Sequence, residues 1–221
     1  MYEPFDDTAV RVLLAVNPGD SIRTVAQHLH TPYETVRQAV NQLEDAGYLR
    51  YDDGLFVTDD RVRKAARDLL ATSAAVNPPS IEEAYVLPQF AGREFAYTSI
   101  DAVYIWTRGG YQIAHDPEDY PLFITVAETD LEDWIQFFER FDIPVAQERQ
   151  PADEISQAIQ FVLKPCAAVE AETVDGRPVI PLQETVEFAR DHYATFQSAL
   201  DMLGRMYEEV ETDADYRMEP A

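Results

Sequence analysis

Arg37, Gln38 and Asn41 are the residues whose types and spacing suit recognition chemistry best. Arginine forks pair with guanine edges, and the amides of glutamine and asparagine pair with adenine edges, in a major groove. At positions i, i+1 and i+4 the three share one side of a helix, with Thr35 next to them and Thr31 and Tyr33 at its start. The opposite side, Val36, Ala39, Val40 and Leu43, recurs at helical spacing and predicts a buried stripe. Thr31 suits an N-cap, Pro32 the first helical position and Glu34 the far corner of a Thr-x-x-Glu capping box. Gly47 is placed to stop the helix in a left-handed conformation. The spacing thus predicts a helix over 32–46 that buries one face and offers the other to base edges.

Other groups with chemical potential are fewer. Arg61, Arg63, Lys64 and Arg67 form the one basic cluster, and the sequence leaves open whether it touches phosphates or neutralises neighbouring aspartates. Arg23 and Arg50 flank the 32–46 stretch and are further candidates for phosphate contact. Asp116, Glu118 and Asp119 put three acids within four residues, a pattern for a divalent cation that in so acidic a chain is first a solvated loop. His28 and His30 have no ligand set around them in sequence and are expected at the rim of a core. Cys166 is the single cysteine, which excludes an intramolecular disulfide and a cysteine-based zinc site. Tyr97, Tyr104, Trp106, Tyr111 and Trp134 read as core before they read as a ligand pocket. No phosphate-binding Gly-Lys-Ser/Thr loop, serine elbow or zinc-protease motif occurs. No metal, cofactor or catalytic residue is therefore assigned.

The elements that must position the recognition face are legible on both sides of it. Asp6, Asp7 and Thr8 can open a first helix through about Val16, closed by Asn17-Pro18-Gly19-Asp20. Ser21 to Arg23 is expected as a short strand and 24–30 as a second helix. Tyr48 to Thr58 predicts a hairpin around Asp53-Gly54. A helix from Arg61 to about Thr72 follows, and 73–80, with its double proline, is the linker candidate. Beyond it the pattern mixes types. An extended stretch is expected over 84–87, a helix over 98–107, a glycine turn at 109–110 and a buried strand over 121–126. A capping box at Thr129–Glu132 then opens a helix with Trp134 and Phe138 inward, strands follow over 143–146 and 158–164, and a hairpin over 168–179. A long amphipathic helix over 182–209 follows, its stripe running from Val186 through Phe196 to Tyr207, and an acidic tail over 211–221 is expected to be disordered.

Charge qualifies the picture. The chain of 221 residues has a net charge of −24, with 17 basic and 41 acidic residues. Only Lys64 and Lys164 are lysines, and such lysine-poor acidity resembles the proteomes of salt-in halophilic archaea, where it serves solvation. The first 76 residues hold 8 basic and 12 acidic residues, net −4, whereas the rest hold 9 and 29, net −20. The half bearing the polar helix is the one fit to approach phosphates. No run of about 18 apolar residues and no leader-like N-terminus occurs, so a cytoplasmic, membrane-free protein is expected.

Helix, helix, recognition helix and hairpin together resemble a winged helix-turn-helix of the MarR/ArsR-like kind. The resemblance implies a regulator of transcription that binds double-stranded DNA as a homodimer through paired half-sites. It places Arg23, Thr31, Tyr33, Thr35, Arg37, Gln38, Asn41, Arg50, Arg63 and Lys64 at the DNA. The wing tip, Asp52-Asp53-Gly54, departs from the basic tip common in such proteins, which puts a minor-groove contact in doubt. From about residue 90 to 207 the order of elements is similar to the degenerate nucleotidyltransferase-like domain of type IV abortive-infection antitoxins. There Thr98-Ser99 stands where an active transferase has Gly-Ser, and the Asp-x-Asp leading into the strand is lost. The expectation is an α+β protein: an N-terminal winged helix (1–76), a mixed α/β sensor or partner domain (77–210) ending in a long helix that offers a dimer surface, and a tail (211–221). The alternative is an antitoxin-like or adaptor protein whose C-terminal domain binds a second protein. An active transferase, the third reading, would need metal at Asp116, Glu118 or Asp119.

Overall fold

Asp6 opens the chain's first helix because its carboxylate accepts the Ala9 amide at 2.7 Å. The structure, a computed structural model, describes residues 6–111, 120–147, 159–208 and 210. Helix α1 (Asp7–Ala15) buries Val12, Leu13 and Leu14 completely or nearly so and forms the centre of the N-terminal packing. The Asn17 amide donates to Asp20 at 2.8 Å, and Gly19 takes φ 89°, closing the turn. Helix α2 (Ile22–His28) starts two residues earlier than expected, because the Ser21 hydroxyl accepts the Thr24 amide and caps it. The strand expected at Ser21–Arg23 is reduced to a single bridge between Asp20 and Leu55.

Helix α3 (Tyr33–Asp45) buries Val36, Ala39, Val40 and Leu43 against α1 and α2. Its start differs from the expected capping box. Pro32 is extended and occupies the cap position, so Thr31 lies one residue too far upstream, and its hydroxyl donates to the Leu29 carbonyl instead. At the other end Gly47 takes φ 76°, and the Gly47 and Tyr48 amides return to Glu44 and Leu43, a Schellman stop. Strands β1 (Leu49–Tyr51) and β2 (Leu55–Val57) pair antiparallel around Asp53-Gly54. A side chain at Gly54 would lie 2.6 Å from the Gly19 carbonyl oxygen, so the hairpin backbone sits directly on the α1–α2 turn. Helix α4 (Asp60–Val76), capped by Asp59, runs four residues past the expected end, and only residues 77–80 separate it from the next element.

Ser80 and Glu83 make a full capping box for α5 (Ile81–Ala84), and a 3₁₀ turn (Leu87–Ala91) follows, so the stretch expected to be extended, 84–87, is the end of α5 and the turn that leads into the 3₁₀ segment. Next come β3 (Phe95–Tyr97), α6 (Ser99–Trp106), β4 (Tyr120–Ala127) and α7 (Leu131–Arg140). A 3₁₀ turn, not the expected capping box, leads into α7. Strands β5 (Val145–Gln147), β6 (Ile159–Cys166), β7 (Glu172–Val174) and β8 (Arg177–Val179) complete a six-stranded sheet of order β5-β6-β4-β3-β8-β7. The β5, β6 and β4 strands run parallel, while β3 is antiparallel to β4 and parallel to β8. Helix α7 packs on one face through Trp134 and Phe138, with the Phe138 ring stacked on Phe161 at 4.0 Å.

The expected single long helix is two: α8 (Leu182–Asp191) and α9 (Tyr193–Met206), broken at His192, which leaves helical geometry at φ −114°, ψ 37°. The stripe residues Val186, Ala189, Phe196, Leu200 and Leu203 are buried inside this chain. Most of the stripe expected to pair with a second copy thus packs into this chain's own core, with Tyr193 of the same stripe exposed. Asp116, Glu118, Asp119 and the 211–221 tail lie outside the described residues.

The architecture is thus mixed α/β with a helical C-terminal end, and one apolar core runs from α1 to α9. Polar ties cross between the first 76 residues and the remainder. Arg11 donates to Glu83 at 2.6 Å, Arg67 to the Ala91 carbonyl at 3.4 Å, and Gly176 of the β7–β8 turn rests on the Gln27 backbone. No helix of the described residues is long and apolar enough to cross a membrane.

Candidate nucleic-acid interface

Burial of Val36, Ala39, Val40 and Leu43 fixes which side of α3 meets solvent, and Glu34, Thr35, Gln38 and Asn41 are exposed there with Tyr33 at the leading end. Glu34 is the hub. It accepts two bonds from Arg37, at 2.8 and 2.6 Å, and one from Gln38 at 3.3 Å. These bonds, led by the Arg37 contact, hold its carboxyl down at about 2. The cluster is exposed, so a base or phosphate that offers acceptors can compete with Glu34 for Arg37 and Gln38 without opening the core. Asn41 sits one turn further along and is exposed.

The flanking candidates separate into two groups. Arg23 on α2 and Lys64 on α4 are exposed and have no ion pair among the described residues. Arg50 lies over the Phe56 ring at 4.6 Å and pairs with Asp52 at 3.1 Å, so the hairpin's own acid satisfies it. Thr31 is half-buried and held to Leu29. Arg63 does not point outward as expected. Its guanidinium donates to the Val16 carbonyl, closing the C-terminal end of α1, and burial lowers its affinity for the proton. Arg67 also turns inward, onto Ala91 and the face of Phe137, and Arg61 is bound to its own cap residue, Asp59. The basic cluster is chiefly structural because α4 packs against α1 and α7 through the side that bears two of its arginines.

One polar group has no counterpart in the sequence reading. Asp101 is completely buried at the start of α6, where it accepts the Tyr85 hydroxyl and, at 2.6 Å, the Phe123 amide. Burial pushes its carboxyl up to about 7, against the opposing pull of Tyr85, the Phe123 N–H and Arg177. Tyr97 donates to the Tyr85 carbonyl at 2.6 Å, and Arg177 lies over the Tyr85 ring at 5.1 Å. In sequence Thr98-x-x-Asp101 looks like another helix start. In the fold Thr98 makes no capping bond, and the acid serves the core. Trp134 and Tyr97 are fully buried and Trp106 nearly so, which makes these aromatic residues packing elements.

His28 and His30 lie beside the α2–α3 turn, both pushed toward the neutral form chiefly by burial. The Cys166 thiol has the Val126 and Ala168 carbonyls as alternative acceptors for its one proton at the end of β6. No cluster of three metal-ligating side chains exists among the described residues. No protein-family model, no curated protein and no solved structure matches this chain.

Proposed function

We propose that the chain is a sequence-specific double-stranded DNA-binding regulator in which residues 6–76 act as a winged helix and α3 as the recognition helix. The observation that carries this reading is the exposed polar side of α3, where Thr35, Arg37, Gln38 and Asn41 stand on a helix whose other side is locked into the core. Arg23 and Lys64 supply phosphate contacts on either flank, while Arg50 is held back by Asp52. Arg63 takes no part. Two recognition helices, one DNA turn apart, come from two copies of the chain. The α4 surface suits that pairing. Ala65, Leu69, Thr72 and Val76 follow at spacings of 4, 3 and 4 residues, with Leu69 56% and Val76 85% exposed. The run 69–81 has no charged residue in a chain of net −24.

Fluorescence anisotropy of the full chain on its own upstream DNA, in about molar KCl, tests the proposal, with random DNA and the Arg37→Ala/Gln38→Ala double variant alongside. Saturable binding to the upstream DNA that the double variant loses is the expected outcome. Equal binding by both proteins, or none by either while folded, overturns it.

A second reading is favoured by the acidic hairpin tip. Asp52 and Asp53 are exposed at the point where a wing would meet phosphates. They suit an adaptor or antitoxin-like role in which a basic protein surface is the partner. Capture of a basic protein by wild type, lost on Asp52→Lys, is its signature.

A further inference from the structure

Apart from the α3 face and the buried Asp101 network, the molecule holds a cavity of about 290 Å³ at the seam between α1 and α4 on one side and α5, the 3₁₀ turn and the end of α7 on the other. Its floor is apolar: Leu87, Phe90 and Phe141 are each 4% exposed or less. Leu70 and Ala74 of α4 form a wall. At the mouth the Arg11 guanidinium is held between two carboxylates, Asp7 at 2.8 Å and Glu83 at 2.6 Å. Glu83 is further fixed by the Ser80 amide and hydroxyl, at 2.8 and 2.9 Å, so its position does not depend on Arg11 alone.

We infer that this cavity is a binding site for a small organic monocation with an apolar or aromatic body, such as an aryl-alkyl amine. Two acids and one base leave the mouth at net −1. An anion would have to displace a carboxylate from Arg11 against the field of a chain of net −24. A cation meets the surplus carboxylate directly, and its body covers the apolar floor, where the Phe90 and Phe141 rings favour a cationic neighbour. A neutral molecule of the same shape gains the floor but not the mouth. The occupant would touch α1, which packs against α3, and α4, and at the same time the elements beyond residue 80. It would therefore stiffen the seam behind the recognition helix. That regulatory consequence rests on the DNA-binding reading; the binding itself does not.

Ligand-observed NMR on the full chain in about molar KCl decides the matter with three probes of one shape: 2-phenylethylammonium, 2-phenylethanol and 3-phenylpropionate. Saturable binding of the ammonium is expected, with the alcohol about 5-fold and the carboxylate at least about 10-fold weaker. Glu83→Gln should weaken the ammonium about 5-fold, and Ala74→Trp, which fills the cavity from α4, should abolish it. Asn77→Trp fills the mouth from the exposed connection and gives a second blocking variant if Ala74→Trp does not fold. Equal affinity for the three probes, no saturable binding of the ammonium, or binding that survives a folded blocking variant overturns the inference. Repeating the DNA titration with the ammonium present separates the two claims. A chain that binds the amine but no DNA retains the site and loses the regulator reading.

Discussion

Glu34 and Asp101 are both carboxylates near the start of a helix, yet their surroundings drive them in opposite directions. Glu34 is bathed in water and bonded to Arg37 and Gln38, which hold its carboxyl at about 2. Asp101 is sealed in the core, where burial outweighs its two hydrogen bonds and lifts it to about 7. The contrast separates what a partner can reach from what only the fold uses. Bonds around Glu34 can be exchanged for bonds to a ligand, because water fills any vacancy. Those around Asp101 cannot be exchanged without unfolding, because an orphaned polar group there has no substitute partner.

The largest expected effect comes from Asp101. Its folded pKa stands above the unfolded value of 3.8, so the folded state holds the proton more tightly. The associated stability is fully present below about pH 4 and is lost as pH rises through about 7, with an upper bound of about 4 kcal/mol. Asp101→Asn keeps an acceptor for the Phe123 amide and cannot ionise. Denaturant melts from pH 4 to 8 should show wild type losing stability relative to this variant across the interval. Parallel curves would mean that Asp101 is ionised throughout. Glu34 has the opposite sign: its contribution is present above about 4.5 and fades as pH falls toward 2.

On the exposed side of the comparison, Arg37→Ala and Gln38→Ala should each cost about 1–3 kcal/mol at a cognate DNA site. Neither should shift the thermal midpoint measurably, since both side chains sit in solvent. A variant that lost DNA binding and stability together would place these residues with Asp101 rather than opposite it.

Arginine repeats the contrast drawn by the two acids. Arg37 faces solvent, whereas Arg63 closes α1 by donating to the Val16 carbonyl. Arg63→Ala should therefore destabilise the fold by about 1–3 kcal/mol through an unsatisfied carbonyl. In urea melts the midpoint should fall, while DNA affinity measured on the folded protein stays within about 2-fold of wild type. A lost DNA contact with unchanged stability would restore Arg63 to the interface.

These pairs also show how far sequence reasoning reaches. Local chemistry was legible: the α3 stripe, the Gly47 stop and the Asp53-Gly54 and Asp175-Gly176 turns all follow from a few neighbouring residues. Pro32 displaced Thr31 from the cap because proline's extended geometry started the helix one residue late. The break at His192 had no proline or glycine to announce it, and the apolar period continues through it into α9. Asp101 and Arg63 escaped because their roles depend on partners 22 and 47 residues away, at Phe123 and Val16. Of the proposed contact residues, sequence put Arg37, Gln38 and Asn41 on one exposed face. It had no means to show Arg50 tied to Asp52.

That last tie gives the smallest effect and a direct test of how the hairpin behaves. Asp52 neutralises Arg50 and adds negative charge where DNA phosphates would pass. Asp52→Lys reverses the charge and leaves Arg50 stacked on Phe56 without its acid. The position is exposed and is followed by the turn residues Asp53 and Gly54, whose positive φ values are untouched by the change. Stability should therefore hold. If the hairpin flanks DNA, affinity should rise by about 0.5–1 kcal/mol for cognate and random DNA alike, and the salt dependence should steepen by about one ion. A gain confined to the cognate sequence would mean base contact by the tip. No gain at all would place the hairpin away from the duplex and leave α3, Arg23 and Lys64 to carry binding.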